Sequence, residues 1–205
     1  MDLWQDQVVS TLEVFRPKSG LAMAGIVFIM SGVLCIQLVL AEGLRHSLSG
    51  IAWGGAASWL AYLIFVRPKV MLFDEGITIT NPLISTTVGW NRVDEIEARY
   101  CMSILVNERP IYAWAAPAPG RHHVRTVHSS ELKGLKIGAG GLIRPGESPR
   151  THSGVAAHLA RLRLAKFRDT AGAHGVESQT RFNTVGAATL FVSIFTGLLF
   201  SLTHF

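Results

Sequence analysis

LAMAGIVFIMSGVLCIQLVLA, residues 21–41, contains no Asp, Glu, Lys or Arg. Two further stretches share that property: LSGIAWGGAASWLAYLIFV, residues 48–66, and VGAATLFVSIFTGLLFSL, residues 185–202. At about 1.5 Å of rise per residue, each covers most or all of a hydrocarbon layer about 30 Å thick. A helix lying on a soluble core carries a polar stripe, whereas these three are apolar around every face. The pattern predicts an integral membrane protein with three transmembrane helices.

The first stretch does not read as a cleaved signal peptide. The segment before it carries Asp2, Asp6 and Glu13, and a second apolar run follows almost at once. Lys and Arg near the ends of the runs set the orientation. Arg16 and Lys18 precede the first run, Arg67 and Lys69 follow the second, and Arg181 precedes the third. These five residues form a membrane collar on one side. The connection between the first two runs has only Arg45, offset by Glu42. The expected location is therefore the plasma membrane, with the N-terminus and the large polar block cytoplasmic and the C-terminus outside. Between positions 67 and 183 there are 16 Lys/Arg and 10 Asp/Glu. The topology bias accounts for that excess, so no nucleic-acid partner is expected; the lipid bilayer is.

Five regions follow: 1–68 with the first two spans, a β-region at 69–121, a Gly/Pro/His-rich loop at 122–154, an amphipathic helix and linker at 155–183, and the third span at 184–205. Strands are expected at 70–73, 77–80, 84–90, 93–98, 101–106 and 111–114, where apolar and polar residues alternate between turn signals. Asp74-Glu75-Gly76 reads as a tight turn in which Gly76 supplies the permissive backbone. Six short strands make a meander that must curl into a barrel or pack against something. Apolar positions at helical spacing from 155 to about 171, with Thr151 or Ser153 as cap, predict a basic amphipathic helix. Its Ala/Leu/Phe face is expected to pack on the β-region. Residues 173–183 read as a polar linker. Trp4, Trp53 and Trp59 are expected at the membrane interface or between spans, and Trp90 and Trp114 in the domain core. Cys35 and Cys101 read as small packing residues without a disulfide.

The run Arg67-Pro68-Lys69-Val70, Asp74-Glu75-Gly76-Ile77-Thr78-Ile79, Asn81-Pro82, Val88-Gly89-Trp90, Val93 and Ile96 resembles the bacterial PH-like domain of actinobacterial membrane proteins. Tyr112-Ala113-Trp114 to Arg121 is similar to the end of the β-region in members with a third span. The resemblance covers about 15–121. It implies two N-terminal spans leading into a cytoplasmic PH-like β-barrel with a C-terminal helix, and it implies no reaction. The phosphoinositide-gripping basic loop of eukaryotic-type PH domains has no counterpart, because the first turn here, Asp74-Glu75-Gly76, is short and acidic.

Candidate sites are few. His122, His123 and His128 could ligate a transition metal, but no Cys or acidic residue completes a set, and Arg121 and Arg125 adjoin them. A solvated basic loop is the better account, and no metal or cofactor is expected. Gly138-Ala139-Gly140-Gly141 lacks the Lys-Ser/Thr ending of a phosphate loop. Glu95 and Glu97 fall on one face of a strand and read as a solvent-facing edge. Arg161, Arg163, Lys166 and Arg168 are available to headgroups or a partner. Gly54, Gly55 and Ala56 offer a small-residue face for helix packing. The expected function is a non-enzymatic, membrane-anchored interaction or scaffolding module, an accessory subunit with a membrane-protein partner of unspecified stoichiometry. The alternatives are a lipid- or ligand-binding sensor at the inner leaflet, and a metal or enzymatic protein using the three histidines.

Overall fold

A computed structural model of the 205-residue chain describes residues 12–118, 151–170 and 173–203. Three helices are long and apolar enough to cross a membrane: α1 (Lys18–His46), α2 (Leu48–Ala61, continued by a π-helical turn at Tyr62–Val66), and the last helix (Thr184–Thr203). The first runs beyond its predicted 21–41 at both ends. Gly43 interrupts it with φ of 77°, a left-handed value that glycine adopts without strain. There the chain turns back, and Ser47 Oγ donates to the Gly43 carbonyl at 2.8 Å.

Helix α2 lies between α1 and the last helix. Small residues let the backbones approach: a Cβ on Gly54 would come 2.6 Å from Cys35 Sγ, and one on Gly20 would come 2.7 Å from the Phe65 carbonyl oxygen. On the opposite side, Trp53 Nε1 donates to Ser201 Oγ at 3.3 Å and Trp59 Nε1 to the Gly186 carbonyl at 2.9 Å. Both tryptophans thus pack between helices, as one of the two sequence readings had them.

The β-domain contains β1 (Glu13–Phe15), β2 (Lys69–Phe73), β3 (Gly76–Thr80), β4 (Ile84–Gly89), β5 (Glu95–Ala98), β6 (Cys101–Val106), β7 (Arg109–Pro117) and β8 (Gln179–Phe182). These make a five-stranded antiparallel sheet in the order β1-β2-β3-β4-β8 and a three-stranded one in the order β5-β6-β7. The expected closed barrel is not found among the described residues. The 3-10 turn Trp90–Arg92 breaks pairing after β4, whose free side is taken by β8 instead of β5. The predicted polar linker therefore contributes a strand.

Helix α3 (His152–Asp169) begins at Thr151, whose Oγ1 accepts from the Gly154 N–H at 3.0 Å. Its Ala156, Ala157, Ala160 and Leu164 are buried in one core with Val70, Leu72, Ile77 and Ile79 of the large sheet and Ile96, Met102 and Ile104 of the small one. The last helix, Thr184–Thr203, is α4. Trp90 is 1% exposed, with Nε1 on the Phe73 carbonyl at 2.9 Å. Trp114, expected in the core, is 58% exposed. Strand alternation puts Ala113 and Ala115 inside, so Tyr112 and Trp114 must point out.

The turn at Asp74-Glu75-Gly76 also differs from expectation. Gly76 does not have positive φ. It is small because a Cβ there would meet the Val88 carbonyl oxygen at 2.4 Å. Positive φ occurs instead at Asn107 and Glu108, the two-residue loop between the paired Val106 and Arg109.

The Gly20 approach gives a direct test. Gly20→Ala places a methyl group against backbone that cannot rotate away, and should lower stability by about 1–3 kcal/mol. Gly25→Ala, with nothing within 4 Å of the added Cβ, should leave the melting point unchanged or slightly raised. Thermal unfolding of both variants in mild detergent checks this. Equal melting points would mean that the ends of α1 and α2 do not meet at Gly20.

Candidate functional site

Sheet register assembles the most site-like feature. Lys69 pairs with Thr80, Thr80 with Ser85, and Ser85 with Arg181, so one row across β2, β3, β4 and β8 reads cation, hydroxyl, hydroxyl, cation. The next row is Met71, Thr78, Thr87 and Gln179. The partners of these residues along each strand, such as Leu72, Ile77, Ile79 and Val88, face the core. The outward face is therefore polar by the period of two. Arg16, Tyr62 and Arg67 wall it where the chain passes between sheet and helices, enclosing a recess of about 590 Å³. Among the described residues, no Asp or Glu lines it.

Arg67 fixes the upper wall. Its Nη1 donates to the carbonyls of Asn81 and Pro82, the latter at 3.1 Å, and its Nη2 to Ser85 Oγ at 3.2 Å. Burial pulls the guanidinium below its ordinary pKa, and nearby Tyr62 opposes that shift; the group stays charged at neutral pH. Asn81 extends the link. Its Nδ2 donates to the Tyr112 carbonyl at 2.8 Å and its Oδ1 accepts from the Trp114 N–H at 3.0 Å, so the side-chain amide pairs with β7 as a strand residue would. Thr78 and Thr87 join hydroxyls across the floor at 2.8 Å.

Of the five collar residues, Arg16, Arg67, Lys69 and Arg181 line this recess, while Lys18 opens α1 outside it. The four basic residues of α3 are placed differently. Arg161 donates twice to the Ile96 carbonyl, at 3.1 and 2.8 Å, and Arg168 donates to the Val93 carbonyl at 3.2 Å. Arg163 bonds Asp74 at 2.6 Å and Glu13 at 3.0 Å, and Lys166 lies 3.7 Å from Asp74. Gly54 and Ala56 are used inside the helix row, whereas Gly55 faces open space. His122, His123, His128 and the glycine run 138–141 lie outside the described residues. Among the described residues, no group of three or more His, Cys, Asp or Glu is placed to hold a metal ion.

The recess was hidden in the sequence because β8 was. The available signal was the recurrence of polar residues two apart, Thr78/Thr80, Ser85/Thr87 and Gln179/Arg181, all on one face once β8 is recognised. Chemically the arrangement offers cationic and hydroxyl donors to an oxyanion. Comparison with protein-family models, curated proteins and solved structures finds no match for this chain.

Two predictions follow from these side chains. Arg67→Met strands the Asn81 and Pro82 carbonyls and should cost about 2–3 kcal/mol, with Arg67→Lys intermediate in thermal unfolding; an unchanged melting point for Arg67→Met would remove its clamping role. Burial raises the Cys101 thiol pKa, with the Ala113 backbone hydrogen bond opposing. Its thiolate fraction at neutral pH is thus below that of a free cysteine. In a Cys35→Ala background, alkylation of the folded chain should be slower than of the unfolded chain, and its pH–rate midpoint should lie higher. A midpoint at or below the ordinary cysteine value contradicts this.

Proposed function

We propose that this chain is a non-enzymatic, membrane-anchored interaction module, acting as an accessory subunit of a larger membrane assembly. The supporting observation is how little chain separates helices from sheet. Two residues lie between β1 and α1, two between the π-helical turn and β2, and one between β8 and α4. Three helices that each enter one sheet so directly hold it at a set height and angle, which suits presentation of a surface. In this reading the helices cross a bacterial plasma membrane, the β-domain is cytoplasmic, and the C-terminal end of α4 is outside. The gathering of Arg16, Lys18, Arg67, Lys69 and Arg181 at one end of the helix row supports that orientation. The PH-like assignment belongs to the same proposal: two antiparallel sheets and a helix packed over them are compatible with it.

The test is purification of the tagged full-length chain from native membranes in mild detergent, with quantitative mass spectrometry of co-purifying proteins. A reproducible membrane protein at near-stoichiometric amount is the expected result. A chain that purifies without any stoichiometric protein partner overturns the accessory-subunit reading.

A further inference from the structure

We infer that the recess on the outer face of the five-stranded sheet is a binding site for a phosphate-bearing anion, supplied by the headgroup of an anionic lipid in the leaflet against which the β-domain sits. The inference uses the membrane placement proposed above but not the protein partner, and it stands or falls separately from that partner.

Charge comes first. Arg16, Arg67, Lys69 and Arg181 line one concavity, and no carboxylate of the described residues lines it with them. Of the acidic side chains close in chain order, Glu13 and Asp74 both bond Arg163 of α3, and Glu177, four positions before Arg181, is not among the residues lining the recess. The recess therefore concentrates positive charge that the described residues do not neutralise. A zwitterionic headgroup would bring its own cation into this field, whereas a headgroup with net negative charge would not.

Shape and donor chemistry narrow the ligand further. The Lys69–Thr80–Ser85–Arg181 row spans three inter-strand steps, about 14 Å between flanking Cα atoms at about 4.8 Å per step. Lys69 and Arg181, the latter with Nε on Gln179 Oε1 at 3.0 Å, both line the recess, and that width leaves room for one oxyanion between them, above a floor of hydroxyl groups. Arg67 has committed three N–H donors to Asn81, Pro82 and Ser85. A guanidinium has five, so it can meet a phosphate oxygen without releasing the turn it holds. The fork geometry of Arg matches phosphate well.

Position identifies the source. Arg16 and Arg67 sit beside the inner ends of α1 and α2, and Arg181 precedes α4 by three positions. Tyr62 belongs to the apolar α2 segment itself yet lines the same recess. The cavity thus runs from a cationic sheet face to an aromatic side chain on a lipid-crossing helix. That boundary is where a phosphodiester meets its acyl chains, and where tyrosine is favoured. The site is also distinct from the acidic Asp74-Glu75 turn, which lies at the far end of β2 from α2.

Native mass spectrometry of the full-length protein tests the proposal, with phosphatidylglycerol and phosphatidylcholine of matched acyl chains offered together in detergent. Wild-type protein should retain phosphatidylglycerol about tenfold or more over phosphatidylcholine. Arg16→Gln/Lys69→Gln/Arg181→Gln should bring the ratio close to one. Thr87→Trp, which puts an indole on the floor between Lys69 and Arg181 and leaves every collar charge in place, should do the same, and it separates a site from general electrostatic attraction. A parallel titration with glycerol 1-phosphate and inorganic phosphate locates the source. Displacement of phosphatidylglycerol by either at millimolar levels supports the phosphate site and assigns it a soluble ligand. Equal retention of both lipids by the wild type, or unchanged selectivity in Thr87→Trp, overturns the proposal.

Discussion

The guanidinium of Arg67 is the joint on which the two halves of this molecule meet. It donates to the carbonyls of the turn between β3 and β4 and reaches Ser85 on the sheet face, while the backbone N–H of the same residue closes the π-helical end of α2 on the Tyr62 carbonyl at 2.9 Å. Through Asn81 that same turn is fastened to β7 of the second sheet. Arg67 and Asn81 together therefore couple the end of an apolar helix to both sheets. A charged donor on backbone carbonyls contributes more than a neutral one, and here it also prevents the exposed turn from leaving carbonyls unpaired beside the helices.

Helix α3 secures the other side of the domain by a comparable use of arginine. Among the described residues, strand β5 pairs only with β6, which leaves its second edge without a strand partner there. Arg161 and Arg168 lie along it and donate to the carbonyls of Ile96 and Val93. Arg163, 11% exposed, bridges Glu13 of β1 and Asp74 of the following turn. The small Ala face of α3 lets the helix approach both sheets closely, which brings these arginines within reach.

Much of this was legible in the residues. The apolar runs gave three helices because lipid-compatible composition leaves little ambiguity, and β2 to β7 announced themselves by alternation and turn residues. Strands β1 and β8 did not. Glu13–Phe15 has three residues, and all four of Gln179–Phe182 are exposed; neither carries an apolar period, and each is a strand only because β2 or β4 offers it an unpaired edge. Trp114 is apolar enough to suggest a core position, yet strand parity turns it outward. The recess depends at once on β8 for Arg181 and on the outward parity of every neighbouring strand. The basic character of α3 was plain, but composition could not say that carbonyls and carboxylates of the same domain would take up its arginines.

The place of β8 carries a consequence for how the protein is made. β4 and β8 are neighbours in space, yet the whole second sheet and α3 come between them in the chain. During synthesis α1, α2 and the β2–β4 hairpins are complete while the edge of β4 still waits for its neighbour, and such long-range pairing closes late. The strand that seals that edge emerges immediately before α4. A chain that has emerged through α3 but not β8 leaves β4 with a bare edge, and its cation row has Lys69 without Arg181.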